Sequence, residues 1–276
     1  MPFLKMQALG NDFVLVDQLK AQPGAPTEVT ADVARRMGDR KFGVGFDQLL
    51  LLKPAKDAAN HARMDIFNTD GSIAEMCGNG IRAAALYLYR YGSKPRQKTY
   101  SIETLGGIKH IELKNEREIL VDMGQTQVQV ATQTVTAHDK TFEYHAVDMG
   151  NPHAVIFVPD VASFDVEKFG SVIEKGPQFP SRTNVEFVEV LNPHEIRLRV
   201  WERGAGLTLA CGTGACAAAV AALALEKVRN PVTVHLPGGA LKITWKGAEK
   251  SAAQGLQSSV WMEGPAEEVF RGEFFI

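Results

Sequence analysis

The apolar positions of the chain fall mostly into short runs bounded by glycine and proline, a pattern that predicts strands. Arg63-Met64-Asp65-Ile66-Phe67 alternates, and so do Val185 to Val190 and Ile196 to Trp201. Val14-Leu15-Val16 and Val155-Ile156-Phe157-Val158 are continuous apolar runs. Two segments break this pattern. Asn79 to Tyr91 holds Ala83, Ala84, Ala85, Leu86 and Leu88 and stops at Gly92. Thr213 to Val228 is apolar on nearly every side up to Glu226 and stops before Asn230-Pro231. Each predicts a helix ended by a glycine or proline signal. A helix that is apolar all round is buried on all sides. A shorter helix is predicted near Thr30 to Arg40, with Thr30-Ala31-Asp32-Val33 offering a cap.

The two long helices begin alike. One start reads Cys77-Gly78-Asn79-Gly80-Ile81-Arg82-Ala83-Ala84-Ala85, the other Cys211-Gly212-Thr213-Gly214-Ala215-Cys216-Ala217-Ala218-Ala219. The cysteines lie 134 positions apart, close to half the chain. The likeness extends upstream: Asn68 lies 9 residues before Cys77 and Glu202 lies 9 before Cys211, each followed by a glycine-containing turn. Earlier still, Gly10-Asn11-Asp12-Phe13-Val14 and Gly150-Asn151-Pro152-His153-Ala154-Val155 each precede an apolar run, 67 and 61 residues before their cysteines. Order and spacing together predict a duplication. The expected boundaries are 1–121 plus about 264–276 for the half carrying Cys77, and 122–263 for the half carrying Cys211. The expected fold is α/β of the α+β type. It has two pseudo-symmetric halves, each a curved, mostly antiparallel sheet wrapped round a buried central helix.

Composition narrows the function classes. The chain has 276 residues with a net charge of −2, so wrapping a polyanion by charge alone is disfavoured. No apolar stretch reaches the length of about 18 residues needed to span a bilayer. The N-terminal sequence Met1-Pro2-Phe3-Leu4-Lys5-Met6-Gln7 lacks the pattern of a secretory signal. There are 3 cysteines, Cys77, Cys211 and Cys216, too few and too odd for a disulfide framework, and the expected compartment is a reducing cytoplasm. Cys216 has no counterpart in the first copy, where Arg82 takes its place, and is read as helix filler. No close Cys or His pairs point to a metal, and no G-x-x-x-x-G-K-[ST] run points to a phosphate cofactor.

The repeated cysteines are the candidate chemistry. A helix start offers unpaired N–H groups and the positive end of the macrodipole, which favours anions and thiolates. If the two halves face each other, two such starts converge on one bound anion with a thiol on either side of it. That suits stereoinversion next to a carboxylate: one thiolate removes the α-hydrogen while the opposing thiol protonates the other face. The sulfurs are then expected roughly 7 Å apart, about twice a near-attack distance. The backbone amides stabilise charge developing on the carboxylate.

The run Asn68-Thr69-Asp70-Gly71-Ser72-Ile73-Ala74-Glu75-Met76-Cys77-Gly78-Asn79-Gly80-Ile81-Arg82 closely resembles the signature of the bacterial diaminopimelate epimerases. So do Gly10-Asn11-Asp12-Phe13, Gly150-Asn151-Pro152-His153 and the run from Glu202 to Ala215. The resemblance spans most of the chain in the family's order. It implies a cofactor-independent isomerase that interconverts LL- and meso-2,6-diaminoheptanedioate, a step toward lysine and peptidoglycan, with a homodimer as the expected assembly. By resemblance, Cys77 and Cys211 are the acid–base pair, and Gly78-Asn79 and Gly212-Thr213 hold the reacting carboxylate. Asn11 and Gln48 match positions near the reacting end of the substrate. Asn68, Asn151, Asn184 and Arg203 match positions at its distal amino-acid end. His153 and Glu202 match residues that adjust the thiols.

Two alternatives stay open on the residues alone. One is another isomerase of the same scaffold, akin to proline racemase, which would have no distal end for Arg203 and the asparagines to hold. The other is a thiol redox or binding protein using Cys77 and Cys211 as a dithiol, although no C-x-x-C pair occurs. Taken singly, the asparagines read equally as turn formers, Arg203 as a surface charge, and His153 with Glu202 as a structural hydrogen-bonded pair.

Overall fold

The computed structural model describes residues 1–19, 29–245 and 259–275. The chain divides into two compact units, Met1–Val121 with Gly264–Ile276, and Asp122–Glu263. The first contains β1 (Pro2–Ala8), β2 (Asn11–Asp17), α1 (Ala31–Gly38), β3 (Gln48–Lys53), β4 (Ala62–Asn68), β5 (Ile73–Ala74), α2 (Gly78–Tyr91), β6 (Thr99–Thr104), β7 (Gly107–Asn115) and the start of β8 (Glu118–Gln125). The second contains β9 (Gln127–Val128), β10 (Gln133–Ala137), β11 (Lys140–Asp148), β12 (Pro152–Phe157), α3 (Val166–Ile173), β13 (Asn184–Asn192), β14 (Glu195–Glu202), β15 (Gly206–Leu207), α4 (Gly212–Ala224), β16 (Val232–Leu236), β17 (Gly239–Trp245) and β18 (Ser259–Gly264). The chain then returns to the first unit as β19 (Glu267–Glu273).

The same pairing scheme is written twice. In the first unit β1–β2 is antiparallel, β2–β3 parallel, β3–β4 and β4–β5 antiparallel, β4–β6 parallel, and β6–β7 and β7–β8 antiparallel. In the second, β11–β12 is antiparallel, β12–β13 parallel, β13–β14 and β14–β15 antiparallel, β14–β16 parallel, and β16–β17 and β17–β18 antiparallel. The outer neighbour of β1 is β19 and that of β11 is β10, both antiparallel. Parallel neighbours need a crossover connection. Here the four crossovers carry α1 and α2 in one unit and α3 and α4 in the other. The sheets are therefore mixed but mostly antiparallel, as the strand patterns predict.

Each unit closes on its second helix. All residues of α2 from Gly78 to Leu88 are buried, and so are those of α4 from Gly214 to Leu223. Alanine is the only helix former small enough to let strands approach from several sides, and α4 touches β11, β12, β13, β14, β16 and β17. Arg82, fully buried inside α2, is held by oxygen acceptors. Its guanidinium donates to Gly78 O at 3.1 Å, Pro265 O at 3.1 Å and Asn79 Oδ1 at 2.9 Å. Cys216 stands at the equivalent place in α4 and is fully buried.

Two helix ends differ from expectation. The Thr30 hydroxyl caps α1 by accepting from Val33 N at 3.3 Å, as predicted. Gly92 ends α2 with φ −62°, so this glycine is not used for a left-handed turn. The fourth helix stops at Ala224 rather than Val228. Glu226 adopts φ +54°, Glu226 N bonds to Leu223 O, and Lys227 N reaches back to Ala222 O. That is a Schellman ending with a glutamate where glycine is usual, which composition does not announce. Among the described residues no helix is long and apolar enough to cross a membrane.

Candidate functional site

Each unit brings three strand ends to the start of its buried helix. In the first, parallel pairing sets Phe13 of β2 beside Gln48 of β3, and antiparallel pairing sets Gln48 opposite Asn68 of β4. In the second, His153 of β12 lies beside Asn184 of β13, and Val185 opposite Trp201 leaves Asn184 next to Glu202 at the end of β14. The duplicated topology thus equates Phe13 with His153, Gln48 with Asn184, Asn68 with Glu202, and Leu50 with Glu186.

Both cysteines are N-caps. Cys77 has φ −139° and ψ 113°, Cys211 φ −115° and ψ 114°, the extended backbone expected of a cap. Cys77 Sγ accepts from Gly80 N at 3.3 Å, and Cys211 Sγ from Gly214 N at 3.4 Å. A side chain at either of these third positions would meet a close neighbour. A Cβ on Gly80 would lie 2.9 Å from Leu50 Cδ2, and one on Gly214 would lie 2.9 Å from Glu186 Oε1.

Around Cys77 the polar groups are amides. The thiol donates to Asn11 Oδ1 at 3.7 Å, and Asn79 Nδ2 donates to the same oxygen at 3.3 Å. Asn11 Nδ2 in turn donates to Asp47 Oδ2 at 2.9 Å, which fixes the way its amide points. Arg40 ties Asp47 to Asp12, both at 2.7 Å, and Lys5 adds a further bond to Asp12. Burial pushes the Asp12 carboxyl up, but the bonds from Arg40 and Lys5 outweigh it and hold it at about 2. Gln48 Nε2 donates to Asn68 Oδ1 at 3.0 Å, and Asn68 Nδ2 donates to Ser72 Oγ at 3.0 Å. Gln48 Oε1 is buried with no hydrogen-bond partner.

Around Cys211 the polar groups are acids and a histidine. Thr213 Oγ1 lies 3.6 Å from the sulfur and accepts from Asn151 Nδ2 at 3.4 Å. Asn151 Oδ1 lies 3.0 Å from His153 Nε2. His153 Nδ1 lies 2.7 Å from Glu186 Oε1, and neither side chain has any exposed surface. Glu202 is hydrogen-bonded to the Thr208 hydroxyl and to Cys211. Burial pushes the carboxyls of Glu186 and Glu202 up. Burial, then the charges of Glu202 and Glu186, push the Cys211 thiol well above its ordinary range.

That last result corrects the sequence expectation that a helix start favours the thiolate. At Cys211 one amide bond from Gly214 is outweighed by desolvation and two carboxylates. The carboxylate bonded to His153 is Glu186, so the alternative reading of His153 with Glu202 as a structural hydrogen-bonded pair is not what the structure shows. Sequence reading missed Glu186 because Val185 to Val190 was expected to alternate. Instead Asn184 to Val188 are all buried, so an acid expected on a solvent face lies inside. The available signal was the register of the two copies, which sets Glu186 against Leu50. Thr208 and Asp47 were likewise missed.

Asn184 and Arg203 sit together at the rim of the second unit. Asn184 Nδ2 donates to Pro152 O at 3.0 Å, while Asn184 Oδ1 accepts from Arg203 N at 3.0 Å. The Arg203 side chain is exposed and reaches Ser181 O at 3.4 Å. The turn that carries it is anchored by Glu174, which accepts from Gly204 N at 3.0 Å and from Trp201 Nε1 at 2.8 Å.

A family model described as diaminopimelate epimerase matches residues 3–129 and 145–269. The diaminopimelate epimerase of Carboxydothermus hydrogenoformans is 46% identical over 287 aligned positions that cover 100% of both chains. That of Desulfitobacterium hafniense is 45% identical and covers 99% of this chain and 97% of its own. Among solved structures, a phenazine biosynthesis protein of the PhzF family from Bacillus anthracis matches with a TM-score of 0.75 at 16% identity, covering 100% of this chain and 99% of that one. A hydroxyproline epimerase from Agrobacterium vitis, with bound trans-4-hydroxy-L-proline, matches with a TM-score of 0.69 at 16% identity, covering 99% and 91%. At such identity the two structures speak to the fold alone.

Proposed function

The chain belongs to the diaminopimelate epimerase family, and from that premise we propose that it is an isomerase interconverting LL- and meso-2,6-diaminoheptanedioate. The observation that supports the chemistry best is the repeated cap: a cysteine Sγ bonded to the third amide of a buried helix, once in each half.

In this reading one thiolate takes the α-hydrogen and the other thiol delivers a proton to the opposite face. Each sulfur ends one turnover in the state its counterpart began in, so no proton is gained or lost. The carbanion is stabilised where its charge accumulates, on the substrate carboxylate, by the helix-start amides of Gly78-Asn79 and Gly212-Thr213. Asn11 and Gln48 hold the reacting end. Gln48 Oε1, buried and unpartnered, is suited to accept from the substrate ammonium. Asn68, Asn151, Asn184 and Arg203 read the distal end, with Arg203 pairing its carboxylate. His153 and Glu202 set the protonation of the nearer thiol. No cofactor takes part, the compartment is the cytoplasm, the homodimer is the expected assembly, and the product feeds lysine and peptidoglycan synthesis.

The test is direct. Purified protein given LL-diaminopimelate without added cofactor should yield the meso isomer, resolved by chiral chromatography, and should leave L-proline unchanged. Inversion of proline but not diaminopimelate would assign the chain to a different substrate.

A further inference from the structure

Hydrocarbon fills one helix start and acid the other. The first unit fills the space beneath the third residue of its buried helix with Leu50, and Phe13 lies on the neighbouring strand, both fully buried. The second unit uses the equivalent positions for Glu186 and His153. The fold therefore does not need a carboxylate there, and burying one is unfavourable unless it has a use.

The bonding of Glu186 points the same way. Its Oε1 pairs with His153, but its Oε2 is buried with no partner, whereas buried polar atoms are ordinarily satisfied. Glu186 Oε1 and Cys211 Sγ close on the same point, the place of a Gly214 Cβ, at 2.9 and 3.3 Å. His153 Nε2 faces Asn151 Oδ1, an acceptor, so Nε2 carries hydrogen and the Nδ1–Oε1 bond holds one shared proton. Within the pair the carboxyl is the negative end, and it is this end that shares the corner with the Cys211 sulfur. Among the described residues, the titratable groups facing Cys211 at this corner are Glu186 from β13, Glu202 from β14 and His153 from β12.

We propose that Glu186 is a positioning residue: bound to His153 and pressed against Gly214, it holds Cys211 as the thiol in the resting protein, making Cys211 the group that donates a proton in the first turnover. The role rests on the two-thiol reading above. When Cys211 gives its proton to the substrate carbon, the α-hydrogen removed from the other face stays on Cys77. Cys77 then releases that proton to solvent and Cys211 takes one up from solvent, a return that Glu186 favours by disfavouring the Cys211 thiolate.

The test is the ultraviolet thiolate absorbance of Cys211 as a function of pH. It is taken as the difference between each full-length protein and its own Cys211→Ala version. Glu186→Gln should shift the Cys211 titration to lower pH by about one unit, a tenfold change in the ionisation constant, while the Cys77 titration, isolated the same way, stays in place. The double substitution His153→Phe with Glu186→Leu copies the filling of the first half and should shift it the same way, so it decides the matter if Glu186→Gln does not fold. An unmoved Cys211 titration in a folded variant would overturn the proposal. The absorbance reports the thiol whether or not diaminopimelate is turned over, so failure here is distinct from failure of the proposed reaction.

Discussion

Leu50 and Glu186 hold the same station in the two halves, each against the glycine that is third in its buried helix, at 2.9 Å from where a Cβ would sit. One backbone plan thus supports a hydrocarbon environment in one copy and an acidic one in the other. Duplication supplied two thiol caps, and divergence beneath them gave the caps different surroundings.

Alanine at the two glycines should therefore behave differently. In Gly80→Ala the obstacle is the tip of a leucine that can turn aside. Better helix propensity returns up to about 1 kcal/mol, so the net change should be small. In Gly214→Ala the obstacle is a carboxylate fixed by His153, and a loss of about 1–3 kcal/mol is expected. Urea unfolding of the two variants measures both.

The Asp12 network predicts an acid limb of stability. Its carboxyl titrates at about 2 in the folded protein and near 3.9 unfolded. The native state thus binds this proton more weakly. The stabilisation is complete above about pH 4 and is lost as pH falls toward 2. Across that window Asp12→Asn should lose less stability than the parent protein in urea titrations at stepped pH.

Asp47 is expected to act through Asn11. Asp47→Ala frees Asn11 Nδ2, so the amide loses the bond that directs its oxygen at the Cys77 thiol. One hydrogen bond is worth about 0.5–1.5 kcal/mol net, so turnover should fall by about tenfold or less. Asp47→Asn, which still offers an oxygen, should retain most of the rate. Steady-state kinetics of both variants decide it.

The exposed Arg203 should matter to substrate and not to stability. Loss of its charged hydrogen bonds in Arg203→Met should raise KM for diaminopimelate by about 10–100-fold. Unfolding free energy should stay within about 0.5 kcal/mol of the parent. An unchanged KM would remove Arg203 from the distal site.

Much of this was legible in the residues. The repeated Cys-Gly-x-Gly starts, the alanine helices and the strand runs carry the duplicated α+β plan, because periodicity and small-residue content report burial directly. What the residues hid was determined by tertiary register. Glu186 reads as a solvent-facing position of an alternating strand until both faces of β13 are covered. Nothing local to His153 reveals Glu186 as its partner, because the contact forms across the parallel β12–β13 pair. The end of α4 at Ala224 was missed because Glu226 adopts a left-handed conformation that favours glycine. The thiol field at Cys211 was read from the helix start alone, without the two carboxylates that oppose it.

In the proposed reaction Cys77 and Cys211 act as one acid–base couple on a single carbon. The decisive measurement is incubation with LL-diaminopimelate in deuterated water, following α-carbon label and isomer by mass spectrometry and chiral separation. The parent should incorporate one deuteron per inversion, and Cys77→Ala and Cys211→Ala should each abolish inversion while remaining folded. Inversion that survives in either variant would contradict the account.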